Sequence, residues 1–269
     1  MDRTGLTRVL PMMSVPTLRA HGCLNEHLLG EISEGQRLAR EAIEFANELA
    51  HPFTTGLVLT TVGWLHQCRR DLEAATQIAS AAIALAEEHG FPEWLAWNQW
   101  LRGWAFVESG KADEGARLIE GAVSEMRRSG GVPRLPFVLA TLAEGYARLG
   151  RLDEAIAIID EQLQRIARTG ERLDEAELRR MRAEMLLARD EGALAEAEAE
   201  LHKAIDVARA QESKWYELRA TTSLARLLAR SGRRDEARAL LSDIYHWFAE
   251  GFDLLDLKDA RALLEQLAA

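Results

Sequence analysis

Cysteine, proline and aromatic residues are all scarce in this chain of 269 residues, and each scarcity removes a class of answer. The two cysteines, Cys23 and Cys68, form no CxxC pair and no larger framework. That excludes a disulfide-stapled scaffold, leaves at most one bond open, and suits a reducing cytoplasm. Proline occurs only 6 times, and β-branched runs of strand length are almost absent, so little interrupts helix and little favours sheet. No stretch reaches the roughly 18 apolar residues that span a bilayer. Met1–Val15, with Arg3, Arg8 and Pro11, lacks the apolar core of a signal peptide. A soluble, cytoplasmic chain with no membrane partner is expected.

Catalytic signatures are missing too. There is no GxGxxG, HExxH or GxSxG. Gly110-Lys111 mimics the end of a phosphate-binding loop, but no glycine stands at 105 and residue 112 is Ala. His21, Cys23 and His27 hint at a metal site, yet on a helix residues 21 and 27 lie about 240° apart and do not converge. Paired carboxylates fall at helix starts, where capping accounts for them. The expectation is no enzyme, with no catalytic, cofactor or metal site. A net charge of −10 adds that phosphate backbones would be repelled, so no nucleic-acid partner is expected of this chain.

What is abundant is Leu, Ala, Glu and Arg, arranged with a period. Gly30, Arg70, Gly110, Gly150, Asp190 and Gly232 stand at intervals of 40, 40, 40, 40 and 42. Seven residues before each comes Cys23, Gly63, Gly103, Ala143, Ala183 or Ala225; five after comes Gly35, Ala75, Gly115, Ala155, Ala195 or Ala237. Every residue in both columns is small, as two antiparallel helices require where they cross closely. Apolar residues at three-and-four spacing between the columns, such as Leu152, Ala155, Ile156, Ile159 and Leu163, give the helical period. Glycine at the inner turn accepts the left-handed conformation that ends the first helix. Asp113–Glu114, Asp153–Glu154 and Asp235–Glu236 then meet the positive end of the second. Pro52, Pro92 and Pro133 sit where new hairpins open.

The pattern predicts an all-α chain. Residues 1–13 form a leading segment, followed by hairpins at 14–50, 53–89, 92–129, 134–169, 174–210 and 214–250. A last helix at 256–268, entered at Asp256, caps the core. Residues 14–30 read as the first helix of an interior hairpin, so a longer parent protein with residues upstream is expected.

The columns resemble tetratricopeptide (TPR) repeats, most cleanly in Leu142-Ala143, Tyr146, Gly150 and Ala155. The period of 40 exceeds the usual 34, which lengthens each helix by roughly a turn. That variant resembles the C-terminal repeats of large bacterial signalling proteins, where a nucleotide-cyclase or DNA-binding domain precedes a STAND-type ATPase. The segments His89-Gly90-Phe91-Pro92 with Trp94 to Trp97, Gly170 to Leu178, and Trp247 to Asp253 carry most of this likeness. The resemblance implies a right-handed α-solenoid of six TPR-like hairpins with a C-terminal capping helix, used as a sensor or assembly module.

One cluster stands out. Trp94, Trp97, Trp100 and Trp104 share one helix and fall within a stripe of roughly 120°. In the repeat register Trp97, Trp100 and Trp104 match the groove-lining positions of the first helix. Trp64 and Gln67 do so in the second hairpin; Phe137, Glu144 and Arg148 in the fourth. Arg180 and Glu184 follow in the fifth, and Arg219, Arg226 and Arg230 in the sixth. This reads as a groove with an aromatic middle and an arginine-rich end, able to hold a carboxylate or phosphate. The same tryptophans would equally serve packing between helices, and the same arginines surface ion pairs.

The expected function is a non-catalytic binding module: the ligand-sensing or protein-docking region of a bacterial signalling protein whose cyclase or ATPase domain lies elsewhere. Its partner would be a protein or peptide, with a small-molecule effector as a further candidate. The alternative is a stand-alone adaptor or a scaffold that self-associates through its uncapped N-terminal end.

Overall fold

The computed structural model describes the backbone of residues 3–128 and 134–268, with side chains from Val15 onward. Pro133 lies outside these residues. So do the side chains of the N-terminal end, on which the expected self-association surface rests.

The described residues form thirteen α-helices and no strand. They are α1 (Arg3–Leu29), α2 (Ile32–Leu49), α3 (Pro52–Cys68), α4 (Leu72–His89), α5 (Pro92–Glu108) and α6 (Ala112–Arg128). There follow α7 (Leu135–Arg148), α8 (Leu152–Thr169), α9 (Glu175–Arg189), α10 (Leu194–Ala210), α11 (Lys214–Arg230), α12 (Arg234–Tyr245) and α13 (Leu255–Ala268). Two compact units result, one built on α1 to α6 and the other on α7 to α13, with Leu28–Gly30 grouped in the second. α1 begins at Arg3, so the stretch set apart in the sequence as a leading segment is itself helical. α12 ends at Tyr245, short of the expected residue 250.

Within each unit successive hairpins stack, and the two helices of a hairpin play different parts. The second helix buries one stripe: Ala155, Ile156, Ile159, Gln162 and Ile166 in α8, spaced three and four apart, with charge on the other side. The first helix is packed on several sides. In α7 every residue from Leu135 to Ala143 is buried, and in α5 Trp94, Ala96, Trp97, Asn98, Trp100 and Leu101 are. First helices therefore form the interior layer and second helices the outer one. Pro52 and Pro92 open α3 and α5, where no intrahelical N–H is lost.

The small-residue columns explain the tight approach. A Cβ on Gly115 of α6 would stand 2.5 Å from the Gly103 carbonyl oxygen and 2.8 Å from the Val107 nitrogen, both backbone. A Cβ on Gly103 would in turn meet the Gly115 carbonyl at 2.9 Å, and one on Gly35 the Cys23 carbonyl at 2.8 Å. The inner-turn glycines Gly110 and Gly150 take φ of 85° and 78°, as a left-handed helix end requires.

The fifth hairpin departs from the expected register. Asp190 is extended (φ −145°), and Ala195 is exposed while Ala197 is fully buried. Two extra turn residues account for both the 42-residue interval and the shift of the small position. The Asp190 carboxylate takes up the inserted loop by accepting from the Gly192 N–H at 2.8 Å.

Gly115→Ala is expected to destabilise the chain by about 1–3 kcal/mol, because the obstacle is backbone that cannot rotate away. Gly121→Ala, on the same helix but with nothing within 4 Å of a Cβ, should stabilise by roughly 0.5–1 kcal/mol. Thermal unfolding of both variants checks the pair; a harmless Gly115→Ala would contradict the close crossing.

Candidate functional site

The tryptophan stripe lies inside the first unit. Trp94, Trp97, Trp100 and Trp104 are 7%, 4%, 1% and 3% exposed. Trp64 of α3 packs on Trp97 at 4.9 Å between ring centroids, and Trp97 meets Trp100 edge-on at 5.9 Å. Trp94 fills the space left by Gly56, and Gln67 is also buried. The aromatic middle of the expected groove is thus interior packing between first helices, with little ring surface left for a ligand. The cause is the packing of α5 on several sides.

The second unit holds the charged residues named from sequence, and there the arginines are already engaged. Arg180 meets Glu177 through two hydrogen bonds, Nη2–Oε1 at 2.6 Å and Nε–Oε2 at 3.0 Å, and meets Glu184 Oε1 at 2.6 Å. Arg219 lies 3.0 Å from Glu177 and 3.8 Å from Asp256. Arg148 is 4.0 Å from Glu144, Arg226 4.0 Å from Asp259, and Arg230 3.4 Å from Glu191. The last two are exposed pairs worth about 0–1 kcal/mol, but Arg180 and Arg219 are tied inside a buried set. An incoming carboxylate would have to displace internal ones. The expectation of an arginine-lined anion site is therefore not what the geometry offers.

Phe137 is buried beneath Arg134, whose guanidinium stands 4.7 Å over its ring. Arg134 also holds Asp174 through Nη2–Oδ1 (2.7 Å) and Nε–Oδ2 (3.1 Å), and the Tyr216 hydroxyl donates to Asp174 Oδ1 at 3.0 Å. One carboxylate thus ties three consecutive hairpins.

Between α7 and α9 a pocket of about 280 Å³ opens, lined by Glu144, Ala147, Arg148, Leu152, Met181, Glu184, Met185 and Ala188. Met181 and Met185, one turn apart, give a flexible apolar floor. The Glu184 side chain is 46% exposed. Its Oε1 accepts from the Ser223 hydroxyl at 2.6 Å as well as meeting Arg180. Burial opposes ionisation of Glu184, but the Arg180 charge and the Ser223 hydroxyl outweigh it and hold the carboxyl below its usual range. Arg180 is likewise disfavoured by burial yet kept firmly protonated by Glu177 and Glu184. Of the residues singled out from sequence, this pocket unites Glu144, Arg148 and Glu184. It adds Met181 and Met185, four residues apart on α9, which the sequence signalled only by their helical spacing.

Cys23 is fully buried, donates to the Ala20 carbonyl, and has its thiol pushed up to about 12 by burial, so it is no thiolate ligand. Among the described residues no group of three or more His, Cys, Asp or Glu could hold a metal ion.

No family model matches the chain. It is 26% identical over 200 residues to an uncharacterized protein of Rhizobium meliloti (strain 1021); these are 74% of this chain and 19% of that protein. The chain thus spans about a fifth of that curated relative's length. NprR solved with its cognate peptide NprX matches all of this chain and 78% of its own, with a TM-score of 0.68 at 12% identity. Bacillus thuringiensis PlcR, solved with the peptide PapR7 and DNA, matches 88% and 83%, with 0.66 at 15%. A STAND protein with a tetratricopeptide repeat sensor from Pyrococcus horikoshii matches 88% of this chain and 37% of its own, with 0.58 at 13%. The fold is that of TPR-like repeat proteins.

Trp100→Ala should cost about 3–5 kcal/mol, the loss of a fully buried indole, seen as a lower denaturation midpoint. A Trp100→Ala chain of unchanged stability would return the indole to the surface and reopen the aromatic groove.

Proposed function

We propose that this chain is a non-catalytic TPR-type binding module that takes a protein or peptide segment on the α7–α9 face of its second unit. The observation that carries the reading is the pocket between those helices. It is concave, mostly apolar, and bordered by ionised groups from two neighbouring hairpins. Its volume of about 280 Å³ falls just below that of ligand clefts, which run from ~300 to 1,000 Å³, and it suits a side chain of a larger partner better than a free small molecule. NprR and PlcR, which share the fold, were solved with peptides, and that supports a peptide here.

The biological setting belongs to the same proposal. The likeness to the STAND sensor supports a sensing or docking region attached to a bacterial signalling protein with an ATPase or cyclase elsewhere. Two buried cysteines that form no disulfide support a cytoplasmic setting, and no described helix is long and apolar enough to cross a membrane.

Selection of a displayed peptide library against the immobilised chain tests the reading. Ala188 is exposed at the pocket's edge, so Ala188→Trp should block the pocket without disturbing the core. Enriched peptides should bind this variant at least ~10-fold more weakly, a difference of about 1.4 kcal/mol, while Ala84→Trp on the exposed side of α4 changes nothing. No enrichment, or equal binding to both variants, would refute the proposal.

A further inference from the structure

The pocket carries a signature of its own, set by which atoms of Glu184 are used. Arg180 Nη1 and Ser223 Oγ both meet Oε1. Oε2 receives no hydrogen bond among the described residues, although the carboxylate is ionised and half exposed. A carboxylate fixed through one oxygen, on a residue that lines a cavity, is a preorganised acceptor. Its orientation costs nothing further on binding.

The charge around it decides what it accepts. Among the deeper groups, Glu177 and Asp256 offset Arg180 and Arg219. On the lining, Glu144 and Glu184 stand against Arg148 alone, which leaves one net negative charge at the pocket. The rest of the lining is Ala147, Leu152, Met181, Met185 and Ala188, all apolar. An occupant must therefore present a stem that can lie against thioethers and methyls, and a tip that donates to a carboxylate. Aliphatic side chains satisfy only the walls; acidic ones meet repulsion at the rim. Lysine and arginine combine a long methylene stem with a cationic donor.

Resting on the peptide-binding reading above, we propose that the α7–α9 pocket is a specificity subsite for a lysine or arginine side chain of the bound segment. The stem lies on Met181 and Met185, and the tip donates to Oε2 of Glu184 beside Glu144. The arginines of this face then act as internal counter-charges that orient the glutamates, rather than as ligand anchors.

The test uses fluorescently labelled octapeptides, acetylated and amidated so that the termini carry no charge. One position is varied among Lys, Arg, norleucine and Glu, and the others are drawn from Ala, Leu and Ser. Polarisation titrations against the full chain should find Lys and Arg peptides at least ~10-fold tighter than norleucine, with Glu weakest, and the advantage should shrink as salt rises. Glu184→Gln keeps the shape of the side chain, and Arg180 keeps both hydrogen bonds to Glu177, so the fold should persist by circular dichroism. In that variant the Lys-to-norleucine ratio should fall to about 1–3 while norleucine binding is unchanged, and Glu144→Gln should reduce the ratio part of the way. Norleucine binding as tightly as lysine, or a lysine preference intact in Glu184→Gln, overturns the subsite and leaves the peptide reading standing. The norleucine peptide is also titrated with its N-terminal amine left free; if that peptide binds and the blocked Lys and Arg peptides do not, the subsite is overturned, since the cation would then be the terminus. If no octapeptide of any kind binds, the underlying reading fails and the subsite with it.

Discussion

Two helices can approach within backbone contact only where neither carries a side chain larger than a methyl group, and in this chain Gly103 and Gly115 show the limit, each glycine's absent Cβ leaving room for the other's carbonyl oxygen. The rest of the architecture follows from that crossing. Close hairpins stack so that each first helix is covered by its partner and by its neighbours, while each second helix stays wet on one side. Large rings on a first helix are then drawn inside. This is why Trp100 is 1% exposed although its position in the repeat matches a groove.

The same geometry sets the fate of the polar groups on the first helices. Positions about 40 residues apart come to lie side by side, and the chain links them. The Asn98 amide donates to Thr60, Arg134 reaches Asp174 and Asp174 accepts from Tyr216, Glu177 meets Arg219, and Glu184 accepts from Ser223. Buried charges are tolerated when each meets partners of good geometry, and this repeat-to-repeat ladder provides them. It also consumes the arginines. At the α7–α9 face the lining carries the carboxylates of Glu144 and Glu184 beside Arg148, with Met181 and Met185 between them.

The fold was largely legible in the amino-acid sequence, because small residues in fixed register admit few alternatives. The columns ending at Gly110 and Gly150, with Pro52 and Pro92, mark helix ends that the structure reproduces closely. The fifth hairpin slipped because its turn contains no left-handed residue at Asp190, and the inserted Gly192 and Ala193 moved the small position from Ala195 to Ala197. The site was less legible. Period and angle place Trp97, Arg180 and Arg219 on a helix face but do not say how many neighbours cover that face. Nor do they say that Glu177 and Glu184, three before and four after Arg180, would bind it first. Met181 and Met185 have the helical spacing of core residues, and nothing in that spacing marks the cavity they line.

The central claim is that a partner enters between α7 and α9, and the methionine methyl groups report on it directly. The chain has six methionines; Met181 and Met185 floor the pocket, and Met126 is buried in the first unit. In methyl-labelled protein titrated with the tightest Lys-bearing octapeptide, the Met181 and Met185 resonances should shift with saturation while Met126 stays in place. Saturable binding that leaves both pocket methyls unmoved would contradict the account.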